Sequence, residues 1–297
     1  MQNPDIKPTK PSYATAEIVE DTICNGVRLT TLKIRYQRMV HAEMLRHRTA
    51  SRCAASSRAI PIKKMVASAN ATPIHWGANQ VGMQAGAELT GWRLGAAQKV
   101  WATAMWFAGF FSLLMAKLGA HKQIANRLTE PFQWMEEVIT GTDWDNFFNL
   151  RCHEAAQPEI FAIALTIRME LRMRKPRQVG RGADKVENWH LPFITDIERH
   201  KASKLEYDSR SELCNAIYLA KLSAARVARV SYLNHDGSKP DAAKDLGLFG
   251  RLTADPKAIH ASPMEHQAYP LSNGHSRSRN YRGWRQFRAV IEAHEDE

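Results

Sequence analysis

The chain has 297 residues, 44% of them hydrophobic and 24% charged, which is the composition of a globular protein with a substantial core. Its net charge of +11 favours anionic partners such as nucleotides, folates, nucleic acid or anionic lipid. The four cysteines show neither a CxxC pair nor a zinc spacing, so we expect no metal site and a reducing cytoplasm. The polar, proline-rich N-terminus does not resemble a signal peptide, and residues 1–20 are expected to form a flexible arm on a single domain spanning 1–297.

Periodicity and end signals predict one early strand followed by a mostly helical chain. The alternation of Val27–Tyr36 predicts a strand. Helices are predicted, in chain order, at Met39–Arg48, Ala85–Leu118 (interrupted near Thr90-Gly91 and capped by Gly119), Lys122–Leu128 (stopped by Pro131), Asp143–Leu150, Pro158–Met173 and Ser209–Ser231. The last helix is expected to lead into a strand-like VARVSY, and loops are predicted over Lys175–Lys185 and Asn234–Asp245.

One segment of the long helix is apolar enough to raise the question of a membrane. Val100–Ala116 is uncharged throughout and lies at the short limit for crossing a bilayer. It contains Thr103, Gly109 and Ser112, and the mean hydropathy of the whole chain is −0.42. We therefore expect a buried or subunit-interface helix and no membrane association, with a membrane span as the alternative.

The triplet Arg46-His47-Arg48 is the segment that most directly suggests chemistry. Ser56 and Arg58 follow it closely. Arginine binds phosphate through two parallel donors, and a serine hydroxyl can donate beside it. The residues themselves fit either an oxyanion site or a basic helix end followed by a surface loop.

A second group of polar residues lies in Lys122–Arg151. It contains Arg127, and later Asn146 in a predicted helix that ends Asn-Leu-Arg. Asn146 and Leu150 are four residues apart and share a helix face, with Arg151 one step round. Such a helix can present an amide and a guanidinium toward one pocket, although a solvated face with ion pairs would carry the same residues.

Two later segments complete a resemblance to flavin-dependent thymidylate synthases. They are SAARVARVSY at Ser223–Tyr232 and HASPMEH at His260–His266. In that family both elements usually precede the Arg-His-Arg motif, whereas here both follow it. The chain thus resembles a circularly permuted member, similar to divergent members found in bacteriophage genomes. Permutation is reasonable where chain termini lie close together, and it predicts that the Asn273–Arg288 tail approaches the strand at Val27–Tyr36.

The resemblance implies a fold, an activity and an assembly. The fold is α+β, with a curved, mainly antiparallel sheet and a layer of long helices. The activity is transfer of a one-carbon unit from methylenetetrahydrofolate to C5 of dUMP, giving dTMP, with FAD as cofactor and NADPH as reductant. Members are homotetramers whose active sites are shared between subunits, and the location would be the cytoplasm, or the host cytoplasm for a phage-encoded enzyme.

The resemblance also implies roles for individual residues. The triplet Arg46, His47 and Arg48 would face the flavin and the folate. The phosphate of dUMP would be held by Ser56, Arg58 and, from another subunit, Arg127. Arg151 would contact the pyrimidine ring. The positions that match FAD contacts are Asn146, Ser231, Ser262 and Glu265, with His260 near the flavin ring. The serines could instead be a strand end and a helix cap, and the glutamate an ordinary first-turn acid.

Several positions depart from the family pattern, mostly on the nucleotide side. Cys53-Ala54 replaces Asn-Glu, Ala59 replaces Tyr, and Glu43 stands among the substrate-contacting positions where Gln is usual. A carboxylate beside a phosphate would repel it unless Arg52 compensates. We interpret Cys53 as a small packing residue, because no base is identifiable beside it. A related reaction stays open, such as hydroxymethylation of dUMP or action on another pyrimidine nucleotide. A non-catalytic, nucleic-acid-binding homologue using the Arg277–Arg288 tail is also an alternative.

Overall fold

The computed structural model describes residues 14–204, 211–231, 233–234, 237–255 and 257–293. It confirms an α+β architecture built on a five-stranded sheet of order β3-β4-β2-β1-β5. The strands of this sheet are β1 Thr15–Cys24, β2 Val27–Gln37, β3 Ala50–Ala54, β4 Trp134–Gly141 and β5 Arg177–Gln178. All neighbours are antiparallel except the short pair β1–β5. The helices are α1 His41–Leu45, α2 Ile62–Ala67, α3 Gly91–Lys117, α4 Lys122–Ala125, α5 Asp145–Arg151, α6 Pro158–Met173, α7 Asp196–Ser203, α8 Glu212–Ala228, α9 Ala242–Leu252 and α10 Phe287–Ala293.

The first strand corrects the expectation of a flexible arm over residues 1–20. β1 begins at Thr15 and pairs with β2 along its length. The turn between them is Asn25-Gly26, with φ of 50° and 74°. Both values lie in the left-handed region that an Asn-Gly hairpin turn requires, so this dipeptide is a signal that the sequence analysis overlooked. Residues 1–13 lie outside the described part.

The core on one side of the sheet follows directly from helical periodicity. α6 has the predicted bounds, with Pro158 in its first turn. Its buried residues Ile160, Ile163 and Ile167 recur at helical spacing and pack against β1 and β2. Burying each such side chain contributes about 1.5–3 kcal/mol. This face of α6 therefore fixes one side of the sheet.

Several predicted elements differ in their ends. The predicted helix over Met39–Arg48 is a 3-10 turn at Arg38–Val40 followed by the short α1. Residues 85–90 precede α3 instead of belonging to it, because the left-handed φ of 57° at Gly91 marks the helix start. The predicted cap at Gly119 is confirmed by its φ of 84°.

Predicted and observed elements also differ in the later part of the chain. Pro131 does not stop its helix but sits inside a 3-10 segment, Asn126–Phe132. The strand-like interpretation of VARVSY is wrong, because α8 continues to Ala228 and buries Val227. β5 lies within the predicted loop at 175–185, and α9 starts inside the predicted loop at 234–245, capped by the Asp241 side chain. Residues 205–210, where the α8 helix was expected to begin, lie outside the described part.

Helix α3 contradicts the expectation of a helix buried within the chain. It rests on α2 and the 3-10 segment along one narrow strip, where Gly109 and Ser112 are buried. Its large side chains are mostly exposed, including Trp106, Phe107, Phe110 and Phe111. Among the described helices, α3 alone is long and apolar enough to cross a membrane by length and composition.

The C-terminal tail confirms one long-range prediction. It forms the short strands β6 Ala268–Pro270, β7 Arg277–Ser278, β8 Tyr281–Arg282 and β9 Trp284–Gln286. The Trp284 indole donates to the Val27 carbonyl at 3.2 Å, and Tyr281 and Trp284 pack with Val27 and Leu29. The tail thus lies against the start of β2, as the permuted order predicts.

Candidate active site around strand β3

The edge strand β3 is the element around which the motif-bearing segments meet. Ala50 and Ala54 pack into the core that contains α5 and α6. Cys53 lies in a cluster with Val227 and Val230, at the end of α8. The HASPMEH segment packs against β3 as well. Four segments that are distant in sequence therefore share one strand.

His47 and Arg151 are in direct contact at the start of β3. The Arg151 Nε donates to the His47 Nε2 at 2.9 Å, and Phe147 meets the imidazole edge to face at 4.8 Å. Burial lowers the pKa of His47 to about 4, with the Arg151 charge adding to the effect. The imidazole is consequently neutral at pH 7, and its Nε2 acts as an acceptor that orients the guanidinium.

The other two members of the triplet are exposed. Arg46 and Arg48 have no ion-pair partner among the described residues. Glu43 does not receive the compensation from Arg52 that we considered, because Arg52 lies 3.3 Å from Glu137. One carboxylate oxygen of Glu43 is buried with no hydrogen-bond partner among the described groups.

A buried polar cluster supports helix α1, and the sequence analysis did not identify it. The Tyr36 hydroxyl donates to the fully buried Glu137 at 2.5 Å and lies 2.7 Å from the His41 Nδ1. The Tyr36 hydroxyl therefore links His41 to Glu137. Burial raises the pKa of Glu137, and Arg52 opposes that shift. The cluster anchors the base of the helix that leads into the triplet.

Ser56 and Arg58 lie at the other end of β3, on an exposed loop. Asn126 fixes this loop by donating to the carbonyls of Ser57 at 2.7 Å and Ile60 at 2.9 Å. The segment that carries Arg127 therefore packs beside the loop within the same chain. Arg127 itself is exposed and pairs with Glu130 at 2.8 Å.

A single chain does not bring the triplet and the Ser56/Arg58 pair into one pocket. β3 separates them, and five residues of strand span about 17 Å. The structure instead provides two cationic positions, one at each end of the strand.

The opposite face of β3 carries the later motif residues. Burial raises the pKa of Cys53 to about 12, while a hydrogen bond with the Ser262 side chain works against this shift. The thiol is thus protonated at neutral pH and buried, in line with a packing role. Glu265 is tied to Arg288 at 2.6 Å. The Ser231 hydroxyl donates to the Leu233 carbonyl at 2.7 Å, and His260 and Ser262 are exposed residues. Asn146 is also exposed, but it lies on α5, which packs on the other side of β3 with Ala50 and Ala54.

A buried hydrogen-bond network of threonine and histidine side chains crosses the same face of the sheet, and no sequence motif indicates it. It runs Thr22–His190–Thr31–Thr140–His266, each contact being 2.7 Å. Burial lowers the pKa of both histidines, that of His266 to about 3. The His266 Nε2 has no partner among the described residues. Threonine is common in strands, so only the pairing of the strands in three dimensions reveals this hydrogen-bond network.

Four arginines of the C-terminal tail make local ion pairs. Arg277 and Arg282 share Asp143, each at 3.2 Å. Arg279 and Arg288 share Glu292. With Glu265, which also pairs with Arg288, three carboxylates face these four arginines, so the tail keeps a net positive charge. In the described residues no group of three or more His, Cys, Asp or Glu is arranged to hold a metal.

Comparisons with known proteins place few constraints on the chain. No family model matches the sequence, and no curated protein matches it. Among solved structures it is similar to the UMP/dUMP methylase PolB from Streptomyces cacaoi bound with 5-Br UMP, at 16% identity and a TM-score of 0.46, over 55% of this chain and 89% of that chain. The same enzyme bound with 5-Br dUMP gives 15% identity and a TM-score of 0.47, over 55% and 91% of the two chains.

Proposed function

We propose that this chain is a flavin-dependent enzyme that transfers a one-carbon unit from methylenetetrahydrofolate to C5 of dUMP, giving dTMP with NADPH as reductant. The observation that carries the proposal is the meeting of four motif-bearing segments around β3. The contact between His47 and Arg151 joins the triplet to the Asn-Leu-Arg helix across more than a hundred residues of sequence. A chance resemblance of four separate segments would not require them to meet.

The chemistry explains why cationic donors are needed here. Uracil C5 is a weak nucleophile, and negative charge develops on the pyrimidine oxygens as it is activated. Arg151 is held by a neutral imidazole and not by a carboxylate, so its charge is not cancelled by that contact. Its remaining donors can stabilise a ring oxygen. In this proposal Arg151 is the residue in contact with the reacting ring.

The donor set at the triplet end fits FAD. When bound, FAD would supply the hydride. Arg46 and Arg48 are exposed guanidiniums without ion-pair partners among the described residues, which suits an anionic pyrophosphate. Ser262 is an exposed residue on the opposite face of β3, with its side chain hydrogen-bonded to Cys53. Glu265 is already engaged by Arg288, so we assign it to holding the HASPMEH segment in place.

The phosphate end of the site accounts for the proposed assembly. Ser56, Arg58 and Arg127 would bind the dUMP phosphate, but they lie about one strand length from the triplet. A second copy that places its own triplet beside this loop would complete the site. We propose a homotetramer with shared active sites, in which the exposed apolar side chains of α3 form part of the contact.

The permuted order of the motifs also belongs to the proposal. The hydrogen bond from Trp284 to the Val27 carbonyl, which holds the tail against the first hairpin, supports the permuted order. Cys53-Ala54 and Glu43 differ from the family's usual residues at positions expected to contact the nucleotide. Hydroxymethyl-dUMP or another C5-modified pyrimidine nucleotide is therefore the alternative product.

The test is mass spectrometry of the nucleotides formed from dUMP, methylenetetrahydrofolate, FAD and NADPH. Formation of dTMP supports the proposal. A +30 Da hydroxymethyl product would shift it to the alternative reaction. Absence of any C5-modified nucleotide, with no FAD retained by the purified protein, would refute it.

Two variants assign the residues. Arg151→Ala should abolish turnover while leaving FAD binding largely intact, since the flavin contacts are made elsewhere. Arg58→Ala should raise the KM for the nucleotide with a smaller effect on kcat, because its role is phosphate binding. Arg251→Ala, an exposed arginine on α9, is the matched control and should change neither.

A further inference from the structure

A polar cavity of about 370 Å³ lies beside the β1–β2 turn. The side chains in its lining that matter here are Arg181, Arg282, His275 and Asn25. None of the residues assigned above to the nucleotide, the flavin or the folate lines this cavity. It is therefore separate in composition from the site around β3.

Both arginines are held in fixed orientations by their Nε atoms. The Arg181 Nε donates to the Asn25 side-chain oxygen at 3.0 Å, and the Arg282 Nε donates to Asp143 at 3.2 Å. Within the described residues, the Nη atoms of both arginines have no hydrogen-bond partner. Each guanidinium thus presents an unused pair of donors while its position is fixed.

Val27 and Gly274, which line the cavity, pack closely against Gly283 of the tail. Gly283 has a φ of 73°, and a Cβ there would lie 2.9 Å from the Gly274 carbonyl and 3.2 Å from a Val27 methyl. The Gly283 amide donates to the Ser276 carbonyl at 2.7 Å. Because the tail hairpin and the β1–β2 turn are locked together in this way, the cavity exists before a ligand enters.

We propose that this cavity binds a phosphate monoester. Asp143 pairs with the Nε of Arg282 but does not line the cavity, and the free Nη donors of the two permanently charged guanidiniums suit the oxygens of a phosphate monoester at neutral pH. Arginine forks bind phosphate oxygens in pairs, and His275 can add a third donor. The volume is within the range of pockets that hold small ligands such as a mononucleotide. This inference does not depend on the function proposed for β3.

The experiment is isothermal titration calorimetry of the full chain with adenosine 5′-monophosphate, inorganic phosphate and adenosine. Both phosphate-bearing probes should bind and adenosine should not. Arg181→Ala and Arg282→Ala should each weaken binding about tenfold or more, the loss expected for one charge-assisted hydrogen-bonding group. Arg285→Ala removes a tail arginine that does not line the cavity and should leave the affinity unchanged. Circular dichroism of each variant checks that the fold is retained.

Several outcomes would overturn the inference. The inference is wrong if the wild type and the Arg181→Ala/Arg282→Ala double variant bind adenosine 5′-monophosphate with equal affinity. It is also wrong if adenosine binds the wild type as tightly as adenosine 5′-monophosphate does. Binding of an oligonucleotide without terminal phosphates, in the absence of monoester binding, would assign the cavity to phosphodiesters instead. If Arg58→Ala abolishes binding of adenosine 5′-monophosphate and the double variant retains it, the phosphate binds at β3 and not in this cavity. Turnover of dUMP is measured in a separate assay, so failure of the proposed function is distinguishable from failure of this inference.

Discussion

The buried hydrogen-bond network that contains His190 and His266 predicts a specific loss of stability in acid. In the folded protein the pKa of His266 is lowered to about 3 by burial, and His190 shifts in the same direction. In the unfolded chain a histidine titrates near pH 6.5. The unfolded state therefore binds more protons below pH 6.5, so this stability is complete above that pH and is lost as the pH falls toward 3.

The size of the effect follows from the two pKa values of His266. At pH 5 the unfolded histidine is almost fully protonated and the folded one is neutral, which lowers the free energy of unfolding by about 2 kcal/mol relative to pH 8. Thr140 is the hydrogen-bond partner of His266, at 2.7 Å, and among the described residues no carboxylate is hydrogen-bonded to the ring to stabilise its charged form.

The assay is urea unfolding of the wild type and His266→Asn between pH 8 and pH 5. Asparagine cannot titrate, so the variant should lose about 2 kcal/mol less than the wild type over this range, whatever its stability at pH 8. Other groups such as His47 contribute equally to both proteins and cancel. His200→Asn, an exposed position on α7, should follow the wild type. If the free energy of unfolding of His266→Asn falls between pH 8 and pH 5 as much as that of the wild type, His266 is not the source of the acid destabilisation.

Three further predictions concern other parts of the molecule. Arg226→Ala should lower the free energy of unfolding by about 3–5 kcal/mol in urea titrations, because it leaves the fully buried Asp245 without one of its charge partners; a change below 1 kcal/mol would contradict this. The Cys53 thiol should react with a thiol reagent far more slowly in the native protein than in urea, and equal rates would show that the strand is open. Phe110→Glu on the exposed face of α3 should reduce the mass measured by light scattering, whereas an unchanged multimer would exclude this face from the subunit contact.

Local features were largely predictable from the sequence. The bounds of α6 follow from its periodic isoleucines and from Pro158, and the end of α3 follows from Gly119, because these signals act within one or two helical turns. The chemistry of the motif residues left an oxyanion site and a basic helix end equally open, and their individual roles came only from the family resemblance.

The grouping of those residues was decided only by the tertiary structure. The contact between His47 and Arg151, the burial of Cys53 beside α8, and the hydrogen bond from Thr140 to His266 all join residues far apart in sequence. Such contacts depend on strand pairing and on which face each strand buries, and a single sequence does not encode either locally. The exposure of α3 has the same origin. Its apolar residues were evident, but whether they are covered depends on what the rest of the chain places against them.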